Sequence, residues 1–478
     1  MGHIEQGATE STGAQTHTGR RPMVEWVTWA RAEWQTVRWL ALLVLIHSLV
    51  YVFLVPPWQH YDEPGHFLYA AYIARGGIDA PDNVMVAREV ADSMYRHGFW
   101  PPDVRPDLLS PRPPGIPTDQ RLHPPLYYAL MAGPLSLLRY LSVETQLYAV
   151  RLISAGLMVL TVLAVWRLIR VVLPTEPELA VIVAGLVALT PAFADLMSAF
   201  NSDVLMNMAA AAAFLGFALA LRDGWRPTGL TLALVATLVA LMTKRTAAPL
   251  VIPLLVALVW GAWRSRIRWW VYLAGAVIAL GGLAVSGFEW TAEGARSRPW
   301  LATLEQNYFR AEIVPWLQSW LNWERAWPLY LSTIGVAHNH FWARLAWGHI
   351  PILPPVGDWL FAGLSVAALV GLARGWFDWR HTWPLWLQRW FWLCLVAVIA
   401  AWIALLGRLH PLPEGVSPYI PRGRYLYWAM VPTMWLLVMG WRHLWPERWR
   451  SHARYALIAI FGVVDLAAIV TLAMYYYQ

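Results

Sequence analysis

The sequence predicts an all-α membrane protein, a polytopic bundle of about eleven transmembrane helices (eleven to twelve are possible) with two larger extracytoplasmic loops. Three observations predict it. First, 58% of the 478 residues are hydrophobic and only 14% are charged, where soluble domains carry about 25% charge. A soluble core cannot absorb that deficit. Second, apolar runs at 39–56, 124–141, 149–172, 179–199, 203–221, 228–243, 247–263, 268–286, 356–373, 389–407, 424–441 and 454–475 approach or exceed the ~18–20 residues needed to cross hydrocarbon. Third, compact arginine-rich turns recur between these runs in consistent alternation.

Taken in order, residues 1–38 form a polar and then basic tail, expected to be cytoplasmic and partly disordered. Pro56-Pro57 follows the first run where a cleavable leader would carry small residues, so this run reads as a retained span. Positive charge marks the cytoplasmic side. The turns at Arg167/Arg170, Arg222/Arg226, Arg264/Arg266/Arg268, Arg374/Arg380/Arg389 and Arg442/Arg448/Arg450/Arg454 agree with the tail if one candidate between 57 and 172 does not cross. That candidate is 124–141, which opens on His123-Pro124-Pro125 and contains Gly133-Pro134. It reads as a helix on the outer face. The expected organisation is a module over 39–287 with a first outer loop at 57–148, a second outer loop at 288–355, and C-terminal helices over 356–478.

Composition also excludes. One cysteine, Cys394, rules out an intramolecular disulfide and a cysteine-cluster zinc site. Arginine and tryptophan interleave at 263–270 and 376–392. Tryptophan rings at the headgroup level and snorkelling arginines explain this better than nucleic acid does. No phosphate-binding loop, dinucleotide fingerprint, Gly-x-Ser-x-Gly or His-Glu-x-x-His is present.

The chemistry concentrates just past the first run, where His60, Asp62, Glu63 and His66 fall within seven residues. Asp62 reads as the N-cap of a helix that runs to Ala74 and stops at Gly76-Gly77. Capping accounts for Asp62 but not for Glu63 or His66, so Asp62, Glu63 and His66 are the catalytic candidates. Asp62 and Glu63 are also the only metal ligands worth naming, and none is firm; His338-Asn339-His340 is a weak metal pair. Lys244, the only lysine, and Arg245 face outside against the charge trend, which suggests a bound anion such as phosphate. Arg422 and Arg424 flank Gly423 and precede Tyr425: arginine offers a rigid fork to phosphate oxygens, and glycine admits a close backbone. His123 faces the same pocket, and Asp203 caps the next span or lines a pocket between helices.

Together these residues resemble the GT-C class of membrane glycosyltransferases, in particular the bacterial membrane-protein family of unassigned function whose first outer loop reads Asp-Glu-Pro-Ala-His-Phe. Protein O-mannosyltransferases and aminoarabinose transferases are more distantly similar. Here the motif is Asp62-Glu63-Pro64-Gly65-His66-Phe67, departing at Gly65. Pro124-Pro125-Leu126-Tyr127, Asn201-Ser202-Asp203, Lys244 and Gly423-Arg424-Tyr425 are the similar later landmarks. The resemblance implies an outward-facing site, a polyprenyl-phosphate sugar donor, a glycan, lipid or protein acceptor, and Asp62 as base in an inverting transfer. In some relatives the loop acids hold a divalent cation (Mg or Mn). The alternatives are a transporter or flippase of lipid-linked glycans, and a non-catalytic subunit of a membrane complex. A transporter calls for charge near the bilayer midplane, whereas the acids here gather at the outer edge.

Overall fold

The computed structural model describes residues 23–77, 80, 82–101, 103–109, 116, 119–264, 323–409 and 420–478. Helices dominate because hydrocarbon offers no partner to a backbone N–H or C=O, and a helix satisfies both internally. Helix α1 (Met23–Leu54) and helix α5 (Val143–Val172) run antiparallel. Arg170, late in α5, bonds Glu33, early in α1, at 2.7 Å. Arg151, early in α5, bonds the carbonyl of Val55 just past α1 at 2.7 Å. The chain between them therefore returns to the end of the bundle that it left. It holds α2 (Glu63–Ala74), α3 (Asn83–Arg96) and α4 (Leu126–Leu137). The expected helix at 124–141 is α4. Its twelve residues rise about 18 Å, short of the ~30 Å of hydrocarbon, and it packs on α2.

The expected span at 179–199 is broken into α6 (Pro177–Ala188) and α7 (Pro191–Ser198), bent by 68°. Pro191 causes the break: it lacks an N–H and holds Thr190 in extended backbone. Helices α8 (Ser202–Asp223), α9 (Pro227–Thr243) and α10 (Val251–Arg264) follow, then α11 (Trp323–Trp342). A short hairpin pairs Arg344–Leu345 with Ile350–Pro351. Helices α12 (Val356–Thr382) and α13 (Leu385–Leu406), a 3-10 segment (Gly423–Ala429), α14 (Met430–Leu444) and α15 (Arg450–Tyr477) complete the chain.

Among the described residues seven helices are long and apolar enough to cross a membrane, or eight if the bent pair counts as one span. The protein is a multi-pass membrane protein. Of the other expected spans, 268–286 lies outside the described residues. The run at 228–243 is the 17-residue α9, and 424–441 opens as 3-10 turns, which leaves α14 only 15 residues. The expected second loop, 288–355, is described only from 323, where it is helix and hairpin.

The two ends of the bundle differ in charge. At one end arginines pair with acids: Arg170 with Glu33, Arg442 with Glu176 and Arg454 with Glu178, each at 2.7 Å. The other end carries the first loop, the Phe200–Asp203 turn, Lys244 and the 3-10 segment at Gly423. Helices α12 and α14 approach closely through Gly371 and Gly440, where a Cβ on either would strike backbone of the other helix.

Candidate active site

The first loop enters the site through two strained residues. Trp58 (φ 72°) and Asp62 (φ 53°) are left-handed, a conformation that costs a non-glycine residue about 1–3 kcal/mol. Glu63 holds them there. It is fully buried, and its two oxygens accept from Arg151 Nε (2.8 Å) and Nη2 (2.5 Å) and from the backbone N–H groups of Trp58 and Phe200 (3.1 Å each). Arg151 in turn donates to the carbonyls of Val52, Val55 and Pro56. One buried ion pair thus ties the end of α1, the loop, α5 and the turn before α8 together. Burial alone would raise the Glu63 carboxyl, but the Arg151 guanidinium outweighs it and holds the pKa below the ordinary value.

This engages both oxygens of Glu63, one of the catalytic candidates, with the fold. It also frees Asp62. The expected cap is not made, because left-handed backbone turns the carboxylate away and no side-chain cap bond forms on α2. Asp62 Oδ2 accepts instead from Arg424 Nη2 at 2.6 Å. Both side chains are partly accessible, at 21% and 12%.

Arg424 is placed by the segment that carries it. Gly423 lies flush on α11, where a Cβ would strike the Ala337 carbonyl and the Phe341 amide. The Arg424 guanidinium sits 4.7 Å from the Tyr61 ring and 5.4 Å from the Tyr425 ring, and Arg408 lies 4.4 Å from Tyr425. Arg424 Nε and Nη1 are buried and meet no acceptor among the described residues. Arg422 turns aside to His340 Nε2 at 3.3 Å.

Lys244 also differs from expectation. Its ammonium is buried 2.7 Å from Asp203 Oδ1, so an aspartate already neutralises it. The cap expected of Asp203 is made by Asn201, whose side-chain oxygen accepts from the Asp203 N–H at 2.9 Å. His66 Nδ1 meets the Tyr128 hydroxyl at 2.8 Å. His123 Nδ1 is buried without a partner among the described residues. Burial pushes both imidazoles well below the ordinary value, and Lys244 pushes them further. Arg245, at the head of a 3-10 turn, and Arg424 add to this at His123. Asp62, His66, His123, Asp203, Lys244, Arg245, Arg424 and Tyr425 therefore gather at one end of the bundle, in a field that keeps both histidines neutral.

The donor set does not suit a metal held between Asp62 and Glu63, since each carboxylate is committed to a different arginine. His338 bonds Ser365 at 3.0 Å while His340 faces Arg422, so that pair points two ways. Among the described residues no group of three His, Cys, Asp or Glu side chains comes together.

Several residues that shape or line this end of the bundle, or staple its helices, escaped the sequence reading. Arg151 lies inside an apolar run, and no local pattern marks its partner. Asp195, on the short helix after the Pro191 break, is fully buried 2.8 Å from His60 and accepts the Ala346 N–H at 2.9 Å. Arg408 completes the arginine–tyrosine stack. Within the bundle, Asp465 on α15 accepts from Tyr51 and pairs with His47, both at 2.8 Å.

Residues 122–286 match the family described as dolichyl-phosphate-mannose-protein mannosyltransferase, over about a third of the chain. No curated protein matches. Among solved structures, the archaeal oligosaccharyltransferase AglB from Archaeoglobus fulgidus, in complex with an inhibitory peptide and a dolichol-phosphate, is similar at 15% identity and a TM-score of 0.41. That match covers 91% of this chain and 56% of the other. The Archaeoglobus fulgidus oligosaccharyltransferase tethered to an acceptor peptide is similar at 15% identity and a TM-score of 0.40, covering 91% and 54%. The chain thus spans little more than half the length of these enzymes. Residues 122–286 are thus similar to the mannosyltransferase family, and the protein resembles the GT-C class of membrane glycosyltransferases.

Proposed function

We propose that this protein is a membrane glycosyltransferase that moves a sugar from a polyprenyl-phosphate carrier to an acceptor hydroxyl. The observation that carries the reading is the Asp62–Arg424 pair, with two further guanidinium nitrogens unclaimed among the described residues. The acceptor oxygen attacks the anomeric carbon and its proton passes to the Asp62 carboxylate. The bond from the anomeric carbon to the phosphate oxygen breaks, and the polyprenyl phosphate leaves as an anion. That leaving group needs charge stabilisation rather than a proton, and Arg424 Nε and Nη1 supply it.

The donors of a planar guanidinium point in several fixed directions, so Arg424 can hold Asp62 on one nitrogen and meet a phosphate oxygen on another. Such a single displacement inverts the anomeric centre. Tyr425 and Arg408 brace the arginine, and neutral His66 and His123 accept hydrogen bonds from sugar or acceptor hydroxyls. No step is assigned to a divalent cation, because Asp62 and Glu63 do not form a ligand pair. The arginine-rich turns lie at the opposite end of the bundle, so the positive-inside rule supports an extracytoplasmic site and a cytoplasmic N-terminus.

The transporter reading asks for charge inside the bilayer. Asp465 is such a charge, but His47 and Tyr51 satisfy it as a staple between α1 and α15. The test is transfer from radiolabelled polyprenyl-phosphate sugars, beginning with mannose, by purified protein in liposomes supplied with a membrane glycan extract. Transfer that falls sharply in Asp62→Asn is the expected result. Equal transfer by Asp62→Asn and wild type removes Asp62 as base, and no transfer from any donor removes the reading.

A further inference from the structure

We infer that Trp347, with Tyr61 and Phe99, forms an aromatic platform that stacks a pyranose ring beside the Asp62–Arg424 pair. Trp347 sits at the tip of the hairpin between α11 and α12. Three consecutive tip residues are left-handed: Ala346 (φ 38°), Trp347 (φ 49°) and Gly348 (φ 81°). Only the last is a glycine. Two such non-glycine residues in a row persist only where the surroundings dictate them.

Those surroundings belong to the site. Asp195 takes the Ala346 N–H with one oxygen and stands 2.8 Å from His60 with the other. The tip is thereby tied to the first loop two positions before Asp62. Gly348 presses on the far side, where a Cβ would come within 2.9 Å of His340 Nδ1 and 3.1 Å of Arg422 Nη1. The strain therefore aims Trp347 inward. Its ring lies 6.2 Å from Tyr61 and 6.2 Å from Phe99, and the same Tyr61 ring carries the Arg424 guanidinium.

Trp347 is only half-buried, so the platform keeps accessible ring surface within one side chain of a cation and a carboxylate. That combination suits a sugar. The C–H face of a pyranose packs on an aromatic ring, while its hydroxyls reach flanking charged groups. A tryptophan anchoring the bundle in lipid would sit on its perimeter, whereas the Trp347 ring packs beside Tyr61 and Phe99 of the first loop. The ring it receives belongs either to the donor or to a glycan acceptor.

The inference rests on the glycosyl-transfer reading, and the experiment separates the two. Wild type, Trp347→Ala and Trp347→Leu are placed in nanodiscs. Each is titrated calorimetrically with polyprenyl phosphate and with polyprenyl-phosphate mannose, and the acceptor KM is measured in the transfer assay. Trp347→Leu keeps apolar bulk without a ring and serves where the alanine variant melts early. If the platform holds the donor sugar, wild type binds the mannosylated lipid more tightly than the bare one, and the variants lose about five- to tenfold on the mannosylated lipid alone. If it holds the acceptor sugar, donor binding is unchanged and the acceptor KM rises by a similar factor. Variants matching wild type in donor affinity and acceptor KM overturn the platform while leaving glycosyl transfer intact. Wild type binding neither lipid removes the glycosyl-transfer reading and the platform with it.

Discussion

Asp62 and Arg424 stand 362 positions apart in the chain and 2.6 Å apart in the fold. Neither gets there by local preference. Asp62 is turned from its helix by a left-handed backbone that the Glu63–Arg151 pair holds in place, and Arg424 is seated by a glycine pressed against α11. Two scaffolds with no sequence proximity thus deliver a carboxylate and a guanidinium to one point.

If that point is the reacting centre, its two members act as a unit. Asp62→Asn is expected to slow transfer by about 10²–10⁴. Arg424→Lys keeps the charge but loses the fork, and is expected to fall between wild type and Arg424→Ala. The double variant Asp62→Asn/Arg424→Ala should lose much less than the product of the single losses. Single-turnover rates with saturating donor measure this, and fully multiplicative losses would show that the two residues work independently.

Glu63 should behave differently from its neighbour. Glu63→Gln leaves the buried Arg151 guanidinium without a counter-charge, and is expected to cost about 3–5 kcal/mol of stability. Glu63→Leu/Arg151→Met removes both charges and should recover part of that loss. Thermal unfolding in detergent reads the difference. A Glu63→Gln protein that melts like wild type but cannot transfer would return Glu63 to the chemistry.

The helices were legible because an apolar run long enough to cross hydrocarbon has few other fates, and Asp62 was legible because carboxylates are scarce here. Their partners were not. Arg151 reaches Glu63 across 88 positions and Asp195 reaches Ala346 across 151, and pairing at such separation leaves no local pattern. Lys244 shows the limit from the other side. Its sign suggested an anion, but only the fold reveals that the anion is Asp203 from the neighbouring helix. Trp347 was hidden twice over, as one tryptophan among 33 and on a hairpin whose left-handed tip no residue type announces.

The buried histidines are expected to make the fold sensitive to acid. Burial, and next the Arg422 guanidinium, push His340 from 6.5 down to about 3. Between those values the unfolded chain holds a proton that the folded one does not. Stability is therefore full above about 6.5 and falls as pH drops through that window. His66 and His123 shift in the same direction, and the depressed Glu63 carboxyl adds a further loss below its unfolded value of 4.5. The melting midpoint should decline steadily from pH 7 to pH 4, with a shallower slope in His340→Gln. An unchanged slope would show that His340 takes up its proton alike in the folded and unfolded chain.

Gly423 offers the sharpest test of how Arg424 is placed. A Cβ there meets the Ala337 carbonyl and the Phe341 amide. Both are helix backbone, so no flexible side chain can yield, and the 3-10 segment has to lift from α11. Gly423→Ala therefore moves Arg424 and Tyr425 while leaving every charged group present. A displacement of about 1 Å at a reacting centre costs around 10² in rate, so transfer should fall by that order while Asp62 is untouched. Gly462→Ala is the control: a Cβ on that α15 glycine meets nothing within 4 Å among the described residues, and activity should stay at the wild-type level. The two substitutions add the same methyl group, so a loss confined to Gly423→Ala assigns the effect to the seating of the 3-10 segment on α11. Equal activity in both variants would mean that the segment tolerates displacement and that Arg424 is positioned by Asp62 and Tyr61 instead.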